Sequence, residues 1–227
     1  METKDLDIVY FVKESFINEE LRYSLRSVCK NMPHKRVWIF GGCPKGIAPD
    51  VHWKVSQKGK TKWDRVKNMF LMACQNKEIT DDFILFNDDF FVMKPISKID
   101  PWYRSTMEKH ISVLGTGPYK DLLKNVSKKL GADAKSYELH TPFIFNKKKL
   151  LDLIKSSPEM HCTRTMYGNK YDIGGTQHHD IKVFNSRPTF KYKEEEFLST
   201  DDGVVNINND VWRYIKRIFS DKCELER

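Results

Sequence analysis

The sequence predicts an α/β fold, with a sheet flanked by helices and parallel strands in its first half. Three observations carry this expectation. Leu6–Val12 is an apolar run of strand length, too short for a buried helix. Leu21, Leu25, Val28, Cys29 and Met32 recur at helical spacing directly after it. The alternation strand, helix, strand, helix, strand then continues to residue 87, the pattern of parallel strands joined by crossover helices.

Each element has a local reason. Asn18 stands at the start of the first helix and Glu19 and Glu20 fill its first turn, where a side-chain acceptor and negative charge suit the free N–H groups and the dipole. Pro33 stops it, and Arg36–Phe40 reads as the second strand, ended by Gly41, Gly42 and Pro44. Val66, Met69, Phe70, Ala73 and Cys74 give a second amphipathic helix, and Asp82–Asn87 a third strand. Later, Ile111–Leu114 reads as a strand, Tyr119–Leu130 as a lysine-rich helix, Phe143–Phe145 as a strand and Lys147–Ile154 as a helix. Gly168, Gly174 and Gly175 mark residues 160–180 as loop, and Val211, Trp212, Ile215, Ile218 and Phe219 as a closing amphipathic helix.

The 227 residues suit one domain, and 40% apolar and 12% aromatic residues suffice for a core. No apolar run reaches the ~20 residues that span a bilayer. The start, Met1–Asp5, has no signal-peptide pattern. A cytoplasmic chain is expected. The five cysteines are dispersed and form no CxxC pair, so reduced thiols are expected rather than a zinc or disulfide framework. The formal charge of +8 favours polyanionic partners: nucleic acid, anionic membrane or phosphate-bearing substrates. It also suits simple solubility.

Several residues invite chemistry. Asn87-Asp88-Asp89 follows a hydrophobic strand. Adjacent carboxylates repel and are costly to desolvate, which a Mg²⁺ or Mn²⁺ ion resolves, as does a solvated strand-end turn. In a continued strand Asn87 and Asp89 share a face. His140 precedes Thr141-Pro142, which holds it near an extended conformation, and imidazole is the usual general base for a hydroxyl. His178-His179-Asp180 follows two glycines; Asp180 suits a base or carboxylate ligand, and a histidine suits phosphate. Lys58, Lys60, Lys62, Arg65 and Lys67 surround Trp63, a combination suited to phosphate contact and base stacking. Lys120, Lys124 and Lys128 share a helix face, and Lys147–Lys149 add charge. These three segments form a candidate track for an acceptor. The glycines make neither a GxGxxG fingerprint nor a phosphate loop.

Four blocks, Leu6–Tyr10, Asn18–Ser27, Phe83–Phe91 and His140–Pro142, resemble the conserved blocks of the Stealth family of sugar-phosphate transferases of capsule synthesis. The chain also resembles the short bacteriophage glycosyltransferases related to them, with a further block at Arg164–Asn169 and Gly174-Gly175. The resemblance covers about residues 6–200. It implies a mixed nucleotide-sugar-binding sheet of GT-A type in one domain, residues 1–227, with a donor-binding half at 1–100 and an acceptor-side half at 101–227. It implies a UDP-linked sugar donor and a divalent cation. Carried over by position, Asp88 and Asp89 hold the metal and donor diphosphate, Tyr10, Arg22, Arg26 and Asn87 lie by the donor, and His140 and Asp180 are catalytic. The chain is much shorter than the capsule enzymes and lacks their flanking regions, which favours the phage type. The expected reaction moves a sugar onto an acceptor hydroxyl, in the favoured case a hydroxymethylated pyrimidine of DNA. Lys60, Lys62, Trp63, Arg65, Arg164 and His179 are the expected acceptor contacts. Sugar-1-phosphate transfer onto a polysaccharide, and a non-catalytic binding module, are the alternatives.

Overall fold

The computed structural model describes residues 1–55, 59, 61–157, 161–184, 194–206 and 209–227. Lys58 and Lys60 of the basic segment lie outside the described residues. The first half runs β1 (Asp7–Val12), α1 (Glu19–Asn31), β2 (Val37–Gly41), β3 (Val51–Trp53), α2 (Lys62–Gln75), β4 (Asp82–Phe86) and β5 (Phe90–Val92). There follow β6 (Trp102–Tyr103), β7 (Ser105–Thr106), α3 (Met107–Ser112), α4 (Pro118–Leu130), β8 (Lys135–Ser136), β9 (Phe143–Asn146) and α5 (Lys147–Ser156). The chain ends with α6 (Thr163–Lys170), β10 (Thr176–Gln177), β11 (Lys182–Val183), β12 (Phe197–Thr200), α7 (Asp202–Asn206) and α8 (Asp210–Ile218).

The central sheet has the order β3-β2-β1-β4-β9. The first four strands are parallel, and β9 closes the edge antiparallel to β4. The fold is therefore a mixed α/β sheet flanked by helices. Strand alternation splits its side chains between two cores. Val9, Trp38, Phe40, Phe83, Leu85 and Phe145 face one way and pack with α2 and α5 residues such as Phe70 and Leu150. Ile8, Tyr10, Ile39, Ile84 and Phe86 face the other, over Leu21, Leu25 and Val28 of α1. That period-two division is why a single apolar run such as Leu6–Val12 is buried throughout. A third cluster, with Phe91, Leu198, Trp212 and Ile215, docks α7 and α8 against β5 and β12.

One helix start follows the signal read in the sequence, and a second carries a cap that the apolar pattern did not mark. The Asn18 side chain accepts from Leu21 N at 2.9 Å, and Thr61 and Asp64 make a reciprocal capping box at α2. Other expectations are corrected. Ile111–Leu114 is not a strand: Ile111 and Ser112 end α3, capped by Thr106. A four-residue apolar run is too short for periodicity to decide. Residues 163–170 of the expected loop are helical. Gly168 sits inside that helix because a Cβ there would lie 2.4 Å from the Tyr137 ring. Among the described residues no helix is long and apolar enough to cross a membrane, and the five cysteines are unpaired.

The chain leaves β1 for β2 on one side and returns to β4 on the other. The carboxyl ends of β1 and β4 therefore flank a topological switch point, the place where open α/β sheets bind ligands.

Candidate active site

Asn87, Asp88 and Asp89 emerge from β4 at this switch point. They do not continue the strand: of the two readings the sequence left open, residues 88–89 take the strand-end turn, closed by the Phe90 N–H donating to Asn87 O at 3.2 Å. Asn87 is exposed, while the two carboxylates turn inward to different partners. Asp88 accepts the Asn18 side-chain amide at 2.7 Å, so the residue that caps α1 also fixes the first carboxylate. Asp89 Oδ2 accepts from Lys182 Nζ at 2.9 Å and from the Ser199 hydroxyl at 2.7 Å. Among the described residues Asp88 has no ion-pair partner.

Negative charge is in surplus here. Burial, with Asp89 and Asp202 nearby, raises the Asp88 carboxyl above its ordinary range, against the lowering effect of Asn18. Glu20, on the first turn of α1, is pushed up to about 7 by burial and by Asp88, Asp89 and Asp202, although the Thr200 hydroxyl donates to it at 2.8 Å. One lysine, Lys182, faces this group of carboxylates. A divalent cation suits this surplus by charge, but among the described residues the ligand atoms of Asp88, Asp89 and Glu20 do not converge as those of His178, His179 and Glu195 do.

A second centre adjoins the first. His140 Nδ1 lies 2.9 and 3.0 Å from the two oxygens of Asp180. A carboxylate accepts only, so Nδ1 carries the proton and Nε2 is left as the basic nitrogen. The His140 side chain is 38% exposed and Asp180 only 18%, so the imidazole is the reachable member. The Arg104 guanidinium donates to the same carboxylate. Burial raises the Asp180 carboxyl, but His140 and Arg104 outweigh it and hold the group at about 2. Asp180 is therefore an ionised orienting partner rather than a proton acceptor in its own right.

The two centres are joined by one short stretch of chain. Asp180 and Lys182 are two residues apart around the fully buried Ile181, and the Lys182 N–H donates to Asp180 Oδ1 at 3.3 Å. One grips His140 and the other Asp89. Arg164 lies between them electrostatically. It donates to Leu139 O, sits over the Phe90 ring at 5.5 Å and the Phe143 ring at 6.0 Å, and feels both Asp89 and Asp180. Burial nevertheless lowers its pKa.

Three residues assigned to the donor are engaged elsewhere. Tyr10 is fully buried with its hydroxyl 2.9 Å from Ser24 Oγ. Arg22 and Arg26 bind Glu226, at 3.0 Å and 2.6 Å, and Arg26 also donates to the carbonyls of Phe219 and Ser220. Spaced four apart on α1, they clamp the C-terminal segment. The basic track is likewise divided. Trp63 packs edge-on against His161 at 5.4 Å, while Lys62 and Asp64 are exposed at the start of α2. Because α2 follows parallel β3, this start lies on the same sheet rim as Asp88. Lys147–Lys149 follow antiparallel β9 and lie on the opposite rim. Lys147 is moreover buried, donating to Asn76 O at 3.0 Å and Ile79 O at 2.5 Å. His179 contacts Glu195 at 2.9 Å.

Sequence reasoning missed Glu20, Arg104, Lys182 and Ser199. The Asp-x-Lys spacing at 180–182 was a usable signal for Lys182. Glu20 was read only as a dipole partner, and Arg104 carried no local signal.

No protein-family model matches the chain, and no curated protein matches it in sequence. Among solved structures, the apo-form glycosyltransferase GlyE of Streptococcus pneumoniae TIGR4 is similar over 77% of this chain and 45% of that chain. The identity is 12% and the TM-score 0.37. The chain thus spans less than half the length of that protein.

Proposed function

We propose that the protein is a glycosyltransferase that moves a sugar from a nucleotide-sugar donor, UDP-linked, to an acceptor hydroxyl. The observation that carries this reading is that Asp180, which holds His140, and Lys182, which holds Asp89, stand two residues apart, bringing the dyad beside the Asp88–Asp89 carboxylates at the switch point of an α/β sheet. The resemblance of the Phe83–Phe91 and His140–Pro142 blocks to Stealth-type and phage glycosyltransferases points the same way. His140 Nε2 accepts the acceptor's proton as its oxygen bonds to the anomeric carbon, while the bond from that carbon to the diphosphate breaks and its electron pair leaves with the diphosphate. Asp180 holds the imidazole in the required tautomer and stabilises its charged form. Asp88 and Asp89, with Glu20 beside them, would hold Mg²⁺ or Mn²⁺. When bound, the cation offsets charge on the departing diphosphate. For the acceptor we propose a hydroxymethylated pyrimidine in DNA, on the strength of the +8 charge and the basic start of α2 on the site's rim. Arg164, which feels both Asp89 and Asp180, borders the centre.

The test is mass spectrometry of the products formed with a panel of nucleotide sugars and DNA with or without hydroxymethylated bases. A hexose-sized increment on modified DNA is the expected result. Transfer that keeps the donor's proximal phosphate would replace the reading with sugar-phosphate transfer. Asp88→Asn is expected to abolish turnover while leaving the melting temperature unchanged or raised, since it removes a charge that burial and Asp89 disfavour. Wild-type turnover in that variant would sink the assignment of the carboxylates.

A further inference from the structure

A second set of ligating side chains lies outside the proposed centre. His178 is anchored by its backbone N–H on Tyr103 O at 2.8 Å, next to the paired strands β6 and β10. Its ring is stacked on Trp102, with centroids 4.0 Å apart and planes 5° from parallel. The ring of His179 stacks on its other side at 4.5 Å and 21°. Both Nε2 atoms lie near one carboxylate, at 2.9 Å from His179 to Glu195 Oε1 and 3.6 Å from His178 to Oε2. Glu195 lies two residues before Phe197, whose ring meets the other side of this unit by packing edge-on to Trp102 at 5.7 Å.

The proton inventory makes this arrangement unusual. His178 Nδ1 is 2.9 Å from His179 O, and a carbonyl only accepts, so Nδ1 carries the proton. In the neutral ring, Nε2 then presents a lone pair to a carboxylate oxygen, an electron-rich pair that a cation between them would relieve. A carbonyl on the far ring nitrogen is also how metal-binding histidines are oriented.

We propose that His178, His179 and Glu195 form a binding site for a divalent transition-metal ion of the Zn²⁺ class, separate from the carboxylates at Asp88 and Asp89. Two imidazoles and one carboxylate leave a fourth position for water, the donor set of an open zinc site, and imidazole selects Zn²⁺ over Mg²⁺. The three ligand atoms lie within 4.8 Å of one another. Tetrahedral ligands about 2.1 Å from a metal sit roughly 3.4 Å apart, so closure needs a shift of up to about 1.4 Å. His179, whose side chain is 61% exposed and packs on this unit through the His178 ring, is the more mobile ligand and supplies that movement. The bound ion would tie the segment leading into Asp180 to the segment leading into β12, whose Ser199 holds Asp89. It is thus a clamp on the positions of both centres.

Calorimetric titration of the untagged, chelator-treated full chain with Zn²⁺, under reducing conditions that keep thiols unmodified, tests this without reference to sugar transfer. The native protein is expected to bind one equivalent and to melt at a higher temperature with it. His179→Ala and Glu195→Gln are each expected to weaken binding tenfold or more and to lose the thermal shift, with native circular dichroism retained. Asp88→Asn is expected to bind as the native protein does. No binding by the native chain, or binding unchanged in His179→Ala and Glu195→Gln, would overturn the proposal, as would loss of the equivalent in Asp88→Asn alone.

Discussion

At the scale of single residues, two histidines with opposite surroundings make separable predictions. His140 is held by Asp180 at 2.9 Å but remains accessible, the setting of the general base proposed above. His140→Asn is expected to lower turnover by about 10²–10⁴-fold, the usual contribution of a positioned general base. Donor binding and the melting temperature should stay close to native, and equal loss of both would mean a structural role. His110 is only 1% exposed and lies 2.7 Å from the Ser136 hydroxyl. Burial, and secondarily the charges of Arg104 and His140, lower its pKa from 6.5 to about 4, against the opposing influence of Asp180. The unfolded chain therefore binds this proton first. The stabilisation from a neutral His110 is present in full above about pH 6.5 and is lost as pH falls from there to about 4. At roughly 1.36 kcal/mol per pKa unit, that amounts to up to about 3 kcal/mol. Urea unfolding across this window should show a shallower decline for His110→Gln than for the native protein. Parallel curves would refute the assignment.

At the scale of elements, α6 shows how a packing constraint overrides composition. Gly168 is buried in the helix, and a methyl group there would meet the Tyr137 ring at 2.4 Å. Tyr137 cannot easily move, because its hydroxyl donates to Gly174 O at 2.7 Å and its backbone N–H donates to the Thr165 hydroxyl at 3.0 Å. Gly168→Ala, stabilising in an exposed helix, is expected to cost about 1–3 kcal/mol here through overpacking, read as a lower denaturation midpoint. A rise would show that Tyr137 yields. The same contrast explains which elements were legible in the sequence. β1, α1, β2 and β4 carry apolar runs or a strong cap, and their expected limits lie close to those observed, whereas α2, read from Val66 onward, begins at Lys62. α6 was read as loop because its glycine signalled a turn, when it marks close contact with a ring distant in sequence. Within the site, Asp88, Asp89, His140 and Asp180 were visible as residue types, but their partners were not. The grip of Lys182 on Asp89 spans 93 positions, and that of Arg104 on Asp180 spans 76. Arg22 and Arg26 looked like phosphate ligands because nothing local revealed Glu226, 200 residues beyond Arg26.

At the scale of the whole molecule, the net charge of +8 is not one continuous surface. Sheet topology sends the α2 start and the α5 start to opposite rims, and Lys147 is spent inside the protein on backbone carbonyls. Of the cations in the two helix starts, Lys62 thus stands on the same rim as Asp88, with Arg65 one turn along, whereas Lys148 and Lys149 stand across the sheet. Charge alone treats these groups alike, but an acceptor strand reaching the His140 centre does not. If duplex DNA is the acceptor, each phosphate contact contributes about 0.9 to the slope of log affinity against log salt. Lys62→Ala and Arg65→Ala should therefore each weaken binding and flatten that slope by about one unit, while Lys148→Ala and Lys149→Ala should leave it unchanged. Fluorescence anisotropy over a salt series measures both quantities. Equal effects at the two rims would mean that the charge acts as a diffuse field rather than as a track to the site. No effect at either rim would remove the electrostatic argument for DNA and leave a neutral acceptor as the better substrate for the same dyad.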